Sequence, residues 1–262
     1  MKFFLTFSIF ICVILYFIFV DKEVADDISE KKISTKFENN VTNKTQNEIS
    51  NKQVALSNII TPQDLKNERA KYPDGVKLVS LYTANLSNEQ RLRLKEDFEN
   101  LNKYGNFNKN KLGNEFKGIK KYRKNINKNY PLSFTPIENE FLENNFNLTG
   151  KYASGVFSQD SGFDSYTRLF ENKNTKQIVE LTEMYLNPKN NTMIEVFKES
   201  FNHNINGVNL TFQEIPVGNT KVYTVDFVSN QKMYSLSTIK VDKKDVENLI
   251  FSLIEESNNF KN

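Results

Sequence analysis

The basic residues between positions 103 and 131 form the group whose types and spacing could do chemistry. This stretch holds nine Lys and Arg residues against one acid, whereas residues 132–262 carry a net charge of −5. Lysines and arginines interleaved with aromatic rings can neutralise anions and stack on planar groups. The candidate partner-binding residues of this basic segment are Lys117, Lys120, Lys121, Tyr122, Arg123 and Lys124. Three alternatives stay open: a contact with a partner, a solvated loop, or a segment folded on the acidic half of the chain.

Carboxylates offer a second kind of chemistry. Glu138, Glu140 and Glu143 cluster on a predicted short helix, and Asp160 and Asp164 flank a Ser-Gly-Phe turn sequence. Paired carboxylates could act as general acid and base in the hydrolysis of a polymer. The alternatives are a solvated helix face for the glutamates and a turn, or a weak cation site, for the aspartates. The Asp160–Asp164 turn lacks the length of an EF-hand loop.

Histidine and cysteine chemistry finds little support. His203 is the only histidine, and it falls near the end of a predicted helix over 192–202. The helix dipole stabilises a cation at that end. A catalytic triad needs a base beside a nucleophile, and a histidine-rich metal centre needs several imidazoles. The single cysteine, Cys12, lies in the apolar leader. We therefore expect no metal, no cofactor and no enzymatic activity.

The amino-terminal segment predicts where these groups are displayed. Phe3–Val20 is a run of 18 uncharged residues, which as a helix would be about 27 Å long, close to the hydrocarbon thickness of a bilayer. Lys2 precedes the run and acids follow it, so the positive-inside bias places the rest of the chain outside the cytoplasm. We expect residues 1–20 to be a transmembrane signal anchor. The alternatives are a cleaved signal peptide or, with Cys12, a lipoprotein.

Four regions follow from composition and periodicity. After the anchor, residues 21–57 are polar and mixed in charge, which predicts a disordered tether. Residues 58–131 predict a small helical and strand region with the basic segment: helices over 61–71 and 88–104, the latter opened by a Ser87–Gln90 capping box, and a strand over 76–83. Residues 132–262 predict an α+β domain, an antiparallel sheet packed by helices.

The elements of this last domain follow from alternation and capping. Predicted strands cover 151–158, 165–171, 177–186, 208–215, 221–228 and 232–238, and predicted helices cover 135–146, 192–202 and 242–253. The strand run Lys221–Phe227, the run Met233–Ser237 and the helix Asp242–Leu253 resemble the ending of PsbP-like extracytoplasmic domains. That resemblance implies an anchored accessory protein without catalysis.

Together these features predict a single-pass, membrane-anchored, extracytoplasmic protein that binds an envelope component. The body would be periplasmic in a Gram-negative cell. The partner would be an envelope protein or an anionic envelope surface, with an immunity-like or inhibitor-like role as one form, and no nucleic acid is expected. The alternatives are a carboxylate-dependent hydrolase of envelope polymers and a structural spacer.

Overall fold

The structure is a computed structural model, and it describes residues 62–107 and 126–259. The chain divides into two units, residues 1–68 and 69–262. Of the first unit, the structure describes only the beginning of helix α1, which runs over Pro62–Ala70. In that helix the Gln63 amide donates a hydrogen bond of 2.9 Å to the Asn67 side chain. The predicted helix over 61–71 is confirmed.

The second unit is built mainly from strands. Its helices are α2 (Asn88–Tyr104), the single turn α3 (Glu140–Glu143) and α4 (Lys243–Asn259). Two 3₁₀ turns cover Pro188–Asn190 and Lys198–Ser200. The strands are β1 (Val76–Val79), β2 (Asn147–Ser158), β3 (Gly162–Glu171), β4 (Ile178–Tyr185), β5 (Ile194–Phe197), β6 (His203–Ile205), β7 (Val208–Val217), β8 (Thr220–Ser229) and β9 (Lys232–Ile239).

Seven of these strands form one antiparallel sheet in the order β2-β3-β4-β9-β8-β7-β6. Strands β7, β8 and β9 follow one another through tight turns, as their spacing predicts. The predicted α+β class, with a mostly antiparallel sheet packed by helices, is confirmed for the described residues. Strand β9 lies at the centre because β4 pairs with it across the sheet.

A two-stranded parallel sheet joins the earlier residues to this body. Strand β1 pairs with β5, and Phe98 of α2 packs on Phe197 with ring centroids 5.7 Å apart. The Ser87–Gln90 capping box opens α2 as predicted, and Gly105 ends it in a left-handed conformation with φ 73°. The carbonyl of Gly105 then accepts a hydrogen bond of 2.7 Å from the Glu214 amide on β7. The strand and helix of the predicted 58–131 region thus contact the second half of the chain.

The hydrophobic core lies between one face of the large sheet and helix α4. Four α4 residues at helical spacing are fully buried: Val246, Ile250, Leu253 and Ile254. They pack on apolar side chains from the central strands, among them Phe170, Leu181, Leu210, Val225 and Leu236. The predicted amphipathic helix over 242–253 is confirmed, and it extends a turn and a half further, to Asn259.

An ionic cluster is buried in that same face of the sheet. Arg168, Glu183 and Lys232 are each at most 2% exposed, and Arg168 forms an ion pair with Glu183. The Lys232 ammonium donates a hydrogen bond of 2.6 Å to the Thr135 carbonyl, and the Ile137 amide donates one of 2.9 Å to Glu183. Burial raises the pKa of Glu183, while the neighbouring Arg168 acts in the opposite direction. The cluster therefore fastens residues 135–137 to the sheet.

This attachment explains a correction to the predicted helix over 135–146. The structure confines the helix to Glu140–Glu143 and places Asn139 before it, so Glu138 is not a capping partner. The backbone groups of Thr135 and Ile137 bond to buried ionic side chains instead of to a helical turn. Long-range hydrogen bonds thus override the local capping signal.

The predicted helix over 192–202 is wrong. These residues form strand β5, a 3₁₀ turn and the approach to β6, because Ile194–Phe197 pairs in register with Val76–Val79. His203 therefore lies on strand β6 and not at a helix end. Its ring stacks on Phe212 with centroids 4.8 Å apart, and burial lowers its pKa.

No helix within residues 62–107 and 126–259 is long and apolar enough to cross a bilayer. The predicted anchor at 1–20, the predicted tether at 21–57 and the basic segment's candidate residues at 117–124 lie outside the described residues. These three predictions stay predictions.

Candidate functional site

The second face of the large sheet, opposite α4, carries a band of polar side chains. Alternation along the strands places most of their polar residues on this face, while most of the intervening residues are apolar and enter the core, the ionic cluster of Arg168, Glu183 and Lys232 being the exception. Five neighbouring strands contribute. We define the polar face as Thr167, Glu180, Thr182, Thr211, Gln213, Thr224, Asp226, Ser235 and Ser237.

Strand register arranges these side chains in two rows. In the first, Glu180 of β4 pairs with Ser237 of β9, which pairs with Thr224 of β8 and then Gln213 of β7. The second row runs from Thr167 of β3 through Thr182 of β4, Ser235 of β9 and Asp226 of β8 to Thr211 of β7. Residues directly opposite each other share a face and have neighbouring side chains. The sheet therefore builds a continuous hydrogen-bonding surface from distant parts of the sequence.

Apolar rows border the polar face at both strand ends. On one side lie Ile178, Ile239, Val222 and Ile215, and on the other lie Met184, Met233 and Val228. The β7 end is covered: Thr211 donates a hydrogen bond of 3.0 Å to the Ser200 carbonyl, and Gln213 is 2% exposed. The central side chains stay partly exposed, namely Glu180, Thr182, Asp226, Ser235 and Ser237. The polar face is thus reachable at its centre and closed at that flank.

The two carboxylates of the polar face are held in a poorly solvated environment. Burial raises the pKa of Glu180 to about 7. Burial also raises the pKa of Asp226, to about 6, although the Ser235 hydroxyl donates a hydrogen bond of 2.5 Å to its carboxylate. Within residues 62–107 and 126–259, no lysine or arginine forms an ion pair with either group. Both carboxylates therefore bind protons more readily than exposed acids do.

The hydroxyl groups of the polar face are only partly satisfied. Thr167 and Thr182 share a hydrogen bond of 2.9 Å between their hydroxyl oxygens. Thr224, in contrast, is 8% exposed, and no group of residues 62–107 and 126–259 bonds to its buried hydroxyl oxygen. A buried hydroxyl without a partner costs free energy.

The spacing of the carboxylates limits the chemistry they can do. Glu180 and Asp226 are two strands and two residues apart, which sheet geometry converts to about 12 Å between their Cα atoms. Because strand side chains stand roughly perpendicular to the sheet, the carboxyl groups should be separated by a similar distance. The carboxyl groups of glycosidase pairs are about 5–9.5 Å apart, and a bound Ca²⁺ holds its ligands at about 2.3–2.6 Å. Among the described residues, no group of three or more His, Cys, Asp or Glu could hold a metal ion. The arrangement fits recognition of an extended ligand better than general acid–base catalysis.

Comparison of the chain with family models, with curated proteins and with solved structures finds no match. The resemblance of the last hundred residues to PsbP-like domains therefore stays a prediction.

The structure separates the carboxylates that the sequence singled out. Glu138, Glu140 and Glu143 are all exposed, and only Glu140 and Glu143 lie on helix α3. Asp160 is exposed in the turn between β2 and β3, whereas Asp164 is 1% exposed on β3. Asp164 accepts hydrogen bonds from four side chains, those of Ser133, Asn187, Asn190 and Thr192. Asp164 thus joins three segments of the fold and has no oxygen free for catalysis.

Sequence reasoning missed Glu180 and Asp226. The only local signal is alternation, since Glu180 and Thr182 follow buried Val179 and Leu181, and Asp226 interrupts an apolar run. Alternation is equally typical of any strand with one solvated face. Only the pairing of β4 with β9, and of β9 with β8, shows that the two carboxylates share a face.

The raised pKa of Glu180 predicts an unusual effect of pH on stability. The folded state holds the Glu180 proton more tightly than the unfolded state, so stability is greatest below the unfolded pKa and falls as pH rises through about 7. Glu180→Gln removes this ionisation. We expect the variant to be about 1–2 kcal/mol more stable than the unchanged chain near pH 8, and to match it within a few tenths of a kcal/mol near pH 4.

Urea unfolding of the full chain at both pH values, followed by circular dichroism, measures this difference. Glu195→Gln, which removes a part-exposed carboxylate paired with Lys77, is the matched control. Equal stability of Glu180→Gln and the unchanged chain near pH 8 would contradict the prediction.

Proposed function

We propose that the chain is a membrane-tethered, extracytoplasmic binding module that holds an envelope component on its polar face. The observation that carries the proposal is the polar face itself. It presents five partly exposed polar side chains at its centre, including the two carboxylates, on a rigid antiparallel sheet. Side chains fixed by sheet pairing are pre-organised, so binding loses little conformational entropy.

The apolar run at 3–20 and the polar tether at 21–57 support the proposed location. A single-pass anchor would fix the body to the cell membrane, and a flexible coil would let it search the nearby surface. Fractionation of cells that make the protein, with sequencing of its mature amino terminus, tests this part. A soluble cytosolic chain would contradict it.

The wide spacing of Glu180 and Asp226 supports binding over hydrolysis. The alternative, a carboxylate-dependent hydrolase of envelope polymers, would need an acid and a base across one reacting bond. The glutamates at 138, 140 and 143 lie on the surface, and Asp164 is saturated with hydrogen bonds. A spacer role would leave unexplained the desolvated carboxylates and the unpartnered Thr224 hydroxyl.

The basic segment is proposed as a second contact, with an envelope protein or an anionic envelope surface. Its candidate residues carry five positive charges over 117–124. Charges of one sign steer a partner of the opposite sign and act mainly on the rate of association. Replacement of Lys120, Lys121, Arg123 and Lys124 by glutamine is expected to slow association. If the substituted chain captures the partner as the unchanged chain does, the basic segment is not a contact site.

Blocking the polar face should abolish partner capture. Ser237 lies in the middle of the first row and is partly exposed, so Ser237→Arg would place a long side chain over both carboxylates. We expect crosslinking in intact cells to join the unchanged chain to one envelope polypeptide, and Ser237→Arg to lose that product about tenfold or more.

The matched control is Asn219→Arg, which adds the same side chain to the exposed β7–β8 turn. Circular dichroism of both variants checks that the sheet is intact. If Ser237→Arg and Asn219→Arg capture the same product equally, the polar face is not the binding site.

A further inference from the structure

We infer that the occupant of the polar face is an extended polypeptide segment of a partner protein carrying two basic side chains about four residues apart. This inference rests on the proposed function and specifies the chemistry of the partner. It follows from charge, spacing and an unpartnered hydroxyl, each of which is a separate observation.

Charge selects a cation. Glu180 and Asp226 are the charged groups of the polar face, and neither forms an ion pair within the described residues. Ser235 is the one side chain of the described residues that bonds to Asp226. An anionic ligand such as a phosphate would be repelled, whereas an ammonium or guanidinium group would relieve the desolvation of both carboxylates.

Spacing selects two cations on one extended chain. The Cα atoms of Glu180 and Asp226 are about 12 Å apart, and strand side chains stand roughly perpendicular to the sheet, so the two carboxylates form separate contacts. Residues i and i+4 of an extended chain are about 13.5 Å apart and point to the same side. A segment that crosses the strands of the sheet could therefore place one basic side chain at Glu180 and another at Asp226.

The unpartnered hydroxyl selects a polypeptide with its own hydrogen-bonding groups. Thr224 lies beside Ser237 in the first row and precedes Asp226 by two positions on β8, so it borders Asp226 on the same face. Its hydroxyl oxygen is buried and has no hydrogen-bond partner in the described part of the chain. A backbone amide or a serine or threonine hydroxyl of the bound segment would satisfy it.

The raised pKa values of the carboxylates make this contact depend on pH. A basic side chain binds the ionised carboxylate, so binding releases protons held at Glu180 and Asp226. We expect affinity to rise between about pH 5.5 and pH 8. His203, the only histidine of the chain, lies on the opposite face, since it pairs with Leu210 of the core.

The test uses a short, fluorescently labelled peptide of serine and threonine with two lysines four residues apart. Its controls are the same peptide with glutamines for lysines and one with the two lysines adjacent. We expect the full chain near pH 8 to bind the spaced-lysine peptide about tenfold more tightly than either control. Glu180→Gln combined with Asp226→Asn should abolish that preference, whereas Asp160→Asn, at an exposed turn, should keep it.

Equal binding of the lysine and glutamine peptides would overturn the inference, and so would a preference that survives the double substitution. A preference that appears only after Lys120, Lys121, Arg123 and Lys124 are replaced by glutamine would assign the polar face to the chain's own basic segment, and would also overturn it. If Ser237→Arg loses the crosslinked product but the unchanged chain shows no preference for the lysine peptide, the proposed function is supported and the inference is wrong.

Discussion

Replacing Glu183 by glutamine should destabilise the folded state by about 3–5 kcal/mol. The carboxylate faces two buried cations, an ion-paired Arg168 and Lys232 with its nitrogen 3.9 Å away. Removing one charge of a buried cluster leaves the others without compensation, which costs far more than the pair itself contributes. Since domains of ordinary stability unfold at about 5–15 kcal/mol, this is a large share of the total.

The matched control is Glu195→Gln. Glu195 also pairs with a lysine, Lys77 at 2.7 Å, but both side chains are part-exposed, at 39% and 27%. We expect that variant to lose less than about 1 kcal/mol. Urea unfolding of the full chain compares the two substitutions. A similar decrease in the free energy of unfolding for both would show that the buried cluster does not stabilise the fold more than a part-exposed ion pair does.

A second measurement localises the effect. The Ile137 amide donates its hydrogen bond to Glu183, and Lys232 holds the preceding Thr135 carbonyl. If the cluster fastens residues 135–137, hydrogen exchange at the Ile137 amide should accelerate in Glu183→Gln well beyond the exchange of the central strands. Uniform acceleration throughout the sheet would indicate general destabilisation instead.

Asp164→Ala should destabilise the fold by about 3 kcal/mol. Asp164 is buried on β3, where it accepts hydrogen bonds from Asn187 at 3.0 Å and from Asn190 at 2.9 Å, and also from Ser133 and Thr192. Hydrogen bonds to a charged group are the stronger ones, and the substitution leaves several donors without an acceptor.

Asp160→Ala is the control for this prediction. Asp160 precedes Asp164 by four residues and is exposed in the β2–β3 turn, so its loss should change stability by less than about 0.5 kcal/mol. Thermal and urea unfolding of both variants give the comparison. Equal effects at the two positions would contradict the role assigned to Asp164.

Asp160 and Asp164 show which structural features a local sequence pattern can predict. Their sequence predicts a turn, and residues 159–161 do form one. Whether either aspartate is buried depends on Asn187, Asn190 and Thr192, which reach Asp164 from the far end of β4. The turn is a property of neighbouring residues, whereas the burial is a property of contacts more than twenty residues apart.

The same division applies to the helices. The capping box at Ser87 and the apolar spacing of α4 are complete within a few residues, and both predictions are confirmed. Residues 192–202 also carry a helical capping pattern, yet Ile194–Phe197 forms a strand because β1 supplies backbone hydrogen bonds. Interactions with a distant segment outweigh a preference that is worth only a fraction of a kcal/mol per residue.

The polar face is the feature of the structure that the sequence could not predict. Alternation along β4, β8 and β9 determined which residues leave the core, and the sequence alone established the α+β class. It could not determine that Glu180 and Asp226 share one desolvated surface, because that follows from the strand order and register across β9. Local patterns are set by neighbouring residues, whereas a site is assembled by hydrogen bonds between strands that lie far apart along the chain.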